Sequence, residues 1–509
     1  MNAANQRIAK NTTFLYIRTI IILLVSLYTS RVILEALGVT DLGIYNVVGG
    51  IVTLVSSLQA AQTSATSRFI TFELGKVGIS GAELKRIFSI CLTIHILLAL
   101  LVLVLAETVG LVIVNNYIEI PPERIVAANV VYQFSIATLI IHLIRVPYGS
   151  VIIAHERMSI YAYVAVVEAV FLLALALGVK FLGGDRLILY SFGVTFIALI
   201  LFGIYYIYVY RQFSSYRFNW IWDKKDSLRV LSFSGWTLLG STSDTIEQQG
   251  VSLLLNKFVG LVANTALGFA NQVSLAVGKF VKSFGTAFNP QIIKYYASGE
   301  KNKMFCLINR ASKYSFMLCY VMALPLIVNM DFVLSIWLKE VPQYTVEFCQ
   351  LILACTIIDA TTGVLNTSIT ASGKIKGFQI AISISFLCDF LMALGLLLLH
   401  ANPVLVFGVR IMMRGVLNML IEFYYCDRLL DFNLKNYLRE VFLPIVTTLL
   451  LTIPPIVYIC KHTEGIAMFF LTCLVATLIN VFSLLYVIMT KPERGALIET
   501  IKTRKMGKR

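Results

Sequence analysis

Charge is scarce in this chain: only 14% of its 509 residues are Asp, Glu, Lys or Arg, and only five are His. A soluble globular protein is nearer a quarter charged, so the deficit excludes an ordinary water-soluble enzyme and a disordered chain together. The nine cysteines are scattered singly, with no Cys-x-x-Cys spacing. They read as small apolar core residues, not as a disulfide scaffold or a metal site. His95, His142, His155, His400 and His462 include no pair at ligand spacing, and His155-Glu156 lacks the second His of a zinc helix. Gly-x-Gly-x-x-Gly, Walker A and Gly-x-Ser-x-Gly motifs are missing as well, so nothing points to nucleotide-driven transport by this chain itself.

What the chain has in excess is apolar surface: 58% of its residues are hydrophobic, and its mean hydropathy is +0.82. Crossing about 30 Å of hydrocarbon takes about 20 helical residues, so fourteen spans would use roughly 300 residues and leave short loops. Reading by window places those spans near 12–34, 44–66, 87–110, 126–148, 159–181, 188–210, 231–255, 261–283, 314–337, 347–370, 377–399, 404–426, 440–460 and 465–489. The expected fold class is therefore an all-α, polytopic membrane protein. Its N-terminus carries no secretory signature, because the first apolar run is too long for a cleavable one.

Most of the positive charge is topology. Of 42 Lys and Arg residues, 29 fall on the tails and every second loop, while the opposite side holds Arg124, Lys180, Arg186, Lys257, Lys339 and Lys461. The positive-inside rule then puts both termini in the cytosol, which an even number of spans requires. The basic tail Lys502, Arg504, Lys505, Lys508 and Arg509 suits anionic lipid headgroups better than nucleic acid.

Seven cations remain inside the spans: Arg18, Arg31, Arg145, Lys279, Lys282, Arg410 and Arg414. Arg145, Lys279 and Lys282 lie within about a turn of a cytoplasmic end, where a long side chain can snorkel outward. Arg18 and Arg410 lie deeper, and Arg414 is near the midplane. Arg410 and Arg414 are spaced i, i+4, so their guanidiniums share a helix face and need an anion between them, supplied by the protein or by a ligand. Carboxylates at depth keep both options open: Glu168, Asp244, Glu247, Asp359 and Asp389. Asp244 and Glu247, spaced i, i+3, form a polar stripe with Gly240, Ser241 and Gln248 and are candidates for coupling to H⁺ or Na⁺. Polar runs also mark the second span (Gln59, Gln62, Thr63, Ser64, Thr66) and the tenth (Thr361, Thr362, Asn366, Thr367, Ser368, Thr370).

An internal repeat adds organisation. Leu37-Gly38-Val39 after the first span and Val259-Gly260-Leu261 after the seventh each give a short Gly-containing turn before the next span. A six-plus-six duplication produces that period, and six being even, the halves would be parallel repeats. The expected division is an N-lobe over 1–215, a C-lobe over 216–430, and two further spans with a basic tail over 431–509. The stretch from Arg31 to Tyr45, RVILEALGVTDLGIY, resembles the N-terminal signature of the polysaccharide biosynthesis (Wzx-type) flippases, within the multidrug/oligosaccharidyl-lipid/polysaccharide exporter superfamily. Phe288-Asn289-Pro290 followed by Lys294-Tyr295-Tyr296-Ala297-Ser298-Gly299 is similar to that family's segment after the eighth span.

The resemblance implies two six-helix lobes around a central cavity, and alternating access that moves an undecaprenyl-diphosphate-linked oligosaccharide, such as an O-antigen, capsule or exopolysaccharide unit, across the bacterial inner membrane. Its expected partners are membrane lipids and the polymerase and glycosyltransferases of the same pathway, with no nucleic acid and no cofactor beyond H⁺ or Na⁺. A diphosphate must exchange its water for fixed cations, for which the planar guanidinium is suited. Arg18, Arg31, Arg410 and Arg414 are the expected headgroup ligands, with Gln62 meeting sugar; Asp244, Glu247, Asp359 and Asp389 are the expected coupling residues. Three alternatives remain: a flippase for the lipid-linked peptidoglycan precursor, which carries the same diphosphate; a multidrug extruder, disfavoured by a cationic cavity; and a membrane polymerase or ligase, disfavoured by short outer loops.

Overall fold

The computed structural model describes residues 3–53, 56–78, 80–116, 120–338, 340–462, 465–489 and 494–495. The basic residues expected to meet headgroups at the C-terminal end, Lys502 to Arg509, lie outside the described residues.

No strand occurs among the described residues, and the chain is an all-α polytopic membrane protein. In chain order the helices are α1 (Ala3–Thr53), α2 (Ser56–Gly75), α3 (Gly81–Leu105), α4 (Leu111–Asn116), α5 (Ile125–Ala154), α6 (Met158–Gly178), α7 (Arg186–Gln212), α8 (Lys224–Phe258) and α9 (Leu261–Ala297). They continue with α10 (Lys301–Val328), α11 (Met330–Trp337), α12 (Thr345–Ser372), α13 (Lys376–Leu398), α14 (Val404–Met412), α15 (Met419–Leu430), α16 (Leu434–Tyr437), α17 (Leu443–His462) and α18 (Gly465–Ser483). With no water in the bilayer core to satisfy backbone groups, a helix is the one open form such apolar runs can take.

Eleven helical segments are long and apolar enough to cross a membrane among the described residues. The three other spans expected from the sequence, 44–66, 231–255 and 261–283, fall on the end of α1 with α2, on α8 and on α9. α8 and α9 have the length, at 35 and 37 residues, but their Asp, Glu, Gln and Lys residues hold them below a purely lipid-facing apolarity. The polar stripes that lower hydropathy are thus the feature separating these helices from the eleven.

Local signals set the breaks. The Ser80 side chain accepts the Glu83 N–H to open α3, and Asp185 accepts the N–H groups of Leu187 and Ile188 to open α7. The repeated glycines have matching backbone roles: Gly38 takes φ +77° and bends α1, and Gly260 takes φ +110° between α8 and α9. Both angles lie where a Cβ is strained, which is why glycine stands at each.

The chain forms two compact units. One comprises Ala9–Ser241 and Ile293–Gly299; the other comprises Met1–Ile8, Thr242–Ile292 and Glu300–Arg509. α8 contributes its first half to the former and its second half to the latter. The core of the first unit includes Phe88, Tyr148, Ile152, Leu201 and Tyr205, with the Phe88 and Tyr148 rings edge to face at 5.4 Å. That of the second is built on Leu267, Met330, Phe348, Leu353 and Phe407. Lipid is as apolar as these side chains, so close van der Waals fit holds the helices together. Leu100, Leu101 and Val104 on α3 remain exposed, as a lipid-facing flank requires.

Candidate functional site

The second unit gathers six of the charges picked out in the sequence. Asp244 and Glu247 sit one turn apart on α8, Asp359 on α12, Asp389 on α13, Arg410 on α14, and Arg414 in the π-helical turn Met413–Asn418. Gly250 makes room for this: a Cβ there would lie 2.6 Å from the Phe390 ring, so its absence lets α13 lie close to α8 beside Glu247. The Arg410 guanidinium donates to Glu247 and, at 3.3 Å, to Asp389. Arg414 donates to Asp359 at 2.7 Å and to Asp244 at 3.2 Å, and lies 3.8 Å from Glu247. Gln248 donates to the other Asp244 oxygen at 2.9 Å. An aromatic face lies under each cation, Phe407 under Arg410 at 5.3 Å and Phe386 under Arg414 at 5.8 Å.

Two guanidiniums thus face four carboxylates, and burial divides the cluster. The Glu247, Asp389 and Arg410 side chains are nearly enclosed, at 1, 6 and 8% exposure, whereas Asp244 and Asp359 are 36 and 48% exposed. Buried Glu247 Oε2 and Asp389 Oδ1 have no hydrogen-bond partner among the described residues. An excess of negative charge in a low-dielectric site calls for a proton or another cation. Among the described residues no group of three His, Cys, Asp or Glu side chains is placed to hold a metal ion; a proton needs only one carboxylate oxygen. A further buried acid, Glu422 on α15, escapes a depth rule because it lies only a turn from the end of its expected span.

The first unit has the opposite balance. Within electrostatic reach of Tyr205 lie Arg145, Glu168, Tyr161 and Arg18. The Arg145 guanidinium lies 5.5 Å from the Tyr205 ring and 3.7 Å from Glu168, and that of Arg18 lies 4.8 Å from Tyr161. Among the described residues, the buried Arg18 Nε and Arg145 Nη1 have no hydrogen-bond partner. Arg145 has Glu168 as its carboxylate partner and Arg18 lies against the Tyr161 ring, so the group has guanidinium donors available to an anion. Arg145, placed near a cytoplasmic end by the sequence, belongs to this group because α5 packs against α6 and α7.

The other expected ligands lie apart. The Arg31 side chain is 78% exposed and pairs with Glu35 at 3.2 Å, which also receives Lys180 at 2.8 Å. Gln62 is buried, its carbonyl accepting from Ser234 at 3.3 Å. Arg68, counted as a loop residue in the sequence, is instead buried against aromatic faces, 4.5 Å from Phe72 and 4.7 Å from Phe69.

Both family-like stretches have structural work. Three residues beyond the Gly38 bend, Asp41 accepts from Arg124 at 2.9 and 2.5 Å, and the same guanidinium reaches Asp185 at 2.5 Å. Burial pushes the Asp185 carboxyl up, but hydrogen bonds from Arg124 and from the Ile188 and Leu187 amides outweigh it, leaving it below its ordinary value. In the second stretch, Lys294 pairs with buried Glu156 at 2.5 Å. Glu156 itself holds φ +58° in the turn after α5. Gly75 lets that stretch approach, since a Cβ there would sit 2.7 Å from the Lys294 Cα.

Comparisons with known proteins agree with this architecture. No curated protein sequence matches the chain. Among solved structures, a MATE transporter in the straight conformation superposes with a TM-score of 0.72 at 11% identity, over 84% of this chain and 96% of that one. An outward-facing multidrug resistance MATE transporter of the MOP superfamily gives 0.68 at 12% identity, over 84% and 98%. A MOP superfamily transporter from Pyrococcus furiosus, described as having a binding pocket of reverse polarity, gives 0.68 at 11%, over 85% and 99%. The polysaccharide biosynthesis protein family matches residues 8–296. With the exporter fold over most of its length and that family's pattern over more than half, the chain belongs to the polysaccharide biosynthesis protein family, on the fold of the MATE/MOP exporters.

Proposed function

We propose that this protein flips undecaprenyl-diphosphate-linked oligosaccharide across the bacterial inner membrane, with both termini in the cytosol, by alternating access. The observation that carries the reading is the family match over residues 8–296 on a chain whose fold is that of exporters. Its role is transport, not catalysis, and its partners are the lipid-linked substrate and the enzymes that build and polymerise it.

The two charge groups divide the labour. Arg18 and Arg145, with buried donors left over, are the ligands for the diphosphate. The partly exposed Tyr161 supplies aromatic and hydroxyl surface for sugar beside them. In the second unit the acid excess is the coupling site. A proton taken up by the Glu247 and Asp389 pair removes one of the anions that hold Arg410, and the chain of pairs through Arg414 to Asp244 and Asp359 rearranges. Arg410 and Arg414 then hold the acids in register instead of binding headgroup first, because a diphosphate arriving there must displace carboxylates already bonded to them.

The test is genetic and chemical. Deleting the gene leads to accumulation of the undecaprenyl-diphosphate oligosaccharide on the inner leaflet, and the intact gene, but not Arg18→Glu at equal protein level, clears it. Normal surface export by Arg18→Glu at normal protein level would remove Arg18 from the ligand set; no accumulation in the deletion strain would contradict the flippase reading.

A further inference from the structure

The connection between α7 and α8 carries an unusual surface. α7 ends at Gln212 and α8 begins at Lys224; residues 213–223 between them form no regular helix. The root of this connection is fixed in the first unit. Tyr216 is buried, its hydroxyl 3.0 Å from His155 Nε2, and the His155 ring stacks on Phe213 at 4.2 Å. From there the chain runs without regular secondary structure and is held to the first unit at two points. The Asn219 N–H donates to Ser89 Oγ at 3.1 Å, and the Asp223 carboxylate accepts from Arg86 at 3.0 Å.

Beside and between these two anchors stand the exposed rings of Phe218, Trp220 and Trp222. They are 39, 61 and 51% exposed, and Tyr210 on the last turns of α7 is 47% exposed. Four exposed cations frame these rings: Arg211, Arg217, Lys224 and Lys225. Arg217 lies over the Tyr210 ring at 5.2 Å. The nearby acids do not cancel this charge, because Asp223 and Asp226 are both engaged by Arg86, at 3.0 and 2.6 Å.

Such a surface is poorly suited to bulk water, and its position is set by α7, a helix long and apolar enough to span the membrane, whose end lies next to it. Amphipathic aromatic rings settle at the headgroup level, and basic residues beside a span attract anionic lipid. We infer that residues 210–225 form an interfacial strap, which seats Phe218, Trp220 and Trp222 in the leaflet at the C-terminal end of α7 and holds anionic phospholipid headgroups through Arg211, Arg217, Lys224 and Lys225. The strap joins α7 to the first half of α8 within the first unit, so it ties that connection to the membrane surface. This inference rests on α7 as a span and is independent of the transported substrate.

The sequence supplies its own reporter, because the chain has four tryptophans and two of them are Trp220 and Trp222. The full-length Trp236→Phe/Trp337→Phe protein is placed in nanodiscs of phosphatidylcholine with or without phosphatidylglycerol, with bromine near the headgroup end of one lipid's acyl chains. The expected result is blue-shifted emission quenched by either brominated lipid, with deeper quenching by brominated phosphatidylglycerol than by phosphatidylcholine at equal fraction. Changing Arg211, Arg217, Lys224 and Lys225 to Gln abolishes that difference while circular dichroism stays unchanged. Emission at the water-exposed wavelength without quenching would overturn the insertion. Equal quenching by both lipids, or an unchanged difference in the Gln protein, would overturn the anionic headgroup site. Shielding of both tryptophans by a co-purifying soluble protein instead of by lipid would also overturn the inference.

Discussion

The two compact units use charge in opposite ways. In the first, Arg145 meets Glu168 beside Tyr205 and Arg18 lies against the Tyr161 ring, and among the described residues Arg18 Nε and Arg145 Nη1 have no hydrogen-bond partner. In the second, Arg410 and Arg414 are outnumbered by Asp244, Glu247, Asp359 and Asp389, and carboxylate oxygens remain unused. An arginine at membrane depth therefore has no fixed meaning. Its neighbours decide whether it is a ligand awaiting an anion or a counter-ion already committed. Gly38 in one unit and Gly260 in the other each take a positive φ, while the charged side chains the two units carry differ.

The contrast can be broken most severely at Arg410. Removing one partner of a buried ion pair leaves uncompensated charge, so Arg410→Ala is expected to cost about 3–5 kcal/mol, measured as a loss of melting temperature in detergent. Adding Glu247→Gln and Asp389→Asn to Arg410→Ala restores much of it. Failure of that rescue would mean that Arg410 matters through packing rather than charge.

Arg18→Ala sharpens the other side. The lost cation–π contact with Tyr161 costs about 1–2 kcal/mol, yet flipping falls far more than this small destabilisation explains, and Arg18→Lys retains part of the activity. An activity loss that merely tracks stability would place Arg18 among structural residues.

Asp359→Asn removes one carboxylate from the exposed half of the cluster. Its effect on stability is below about 1 kcal/mol, whereas the response of transport to an imposed pH gradient shifts measurably. Unchanged gradient dependence would remove Asp359 from the coupling group.

The smallest effect is a pH effect in the first unit. The Asp185 carboxyl lies below its ordinary value in the folded state, so its contribution is present at neutral pH and is lost as pH falls through and below the usual carboxylate range. Thermal melts of Asp185→Asn are expected to show a lower neutral-pH midpoint and a shallower decline on acidification than the parent. Identical slopes would mean that Arg124 and Asp185 contribute nothing net.

How much of this the sequence discloses depends on the range of the interaction. Asp244 and Glu247, and Arg410 and Arg414, are legible as pairs because helical spacing places i, i+3 and i, i+4 on one face. That these two faces meet each other, with Asp359 and Asp389 between, depends on which helices pack together, and no periodicity contains that. The same gap hides Arg145, whose distance from a span end suggests snorkelling while its neighbours α6 and α7 supply Glu168 and Tyr205. Arg68 and Glu422 are missed because both lie near span ends, where hydropathy windows read exposure, yet aromatic rings enclose one and a helix bundle the other. The Asp41, Arg124 and Asp185 bridge joins three positions far apart in the chain; Asp41 is marked in advance by its place in the family-like stretch and Arg124 only as a cation on the cation-poor side, while Asp185 is not marked.

The most direct test of the transport claim is reconstitution. Purified protein in vesicles loaded symmetrically with fluorescent undecaprenyl-diphosphate oligosaccharide is expected to bring the inner-leaflet pool within reach of an external, membrane-impermeant glycosidase, whereas protein-free vesicles leave about half protected. Protection that persists with the protein present, under imposed gradients of either sign, would contradict the account.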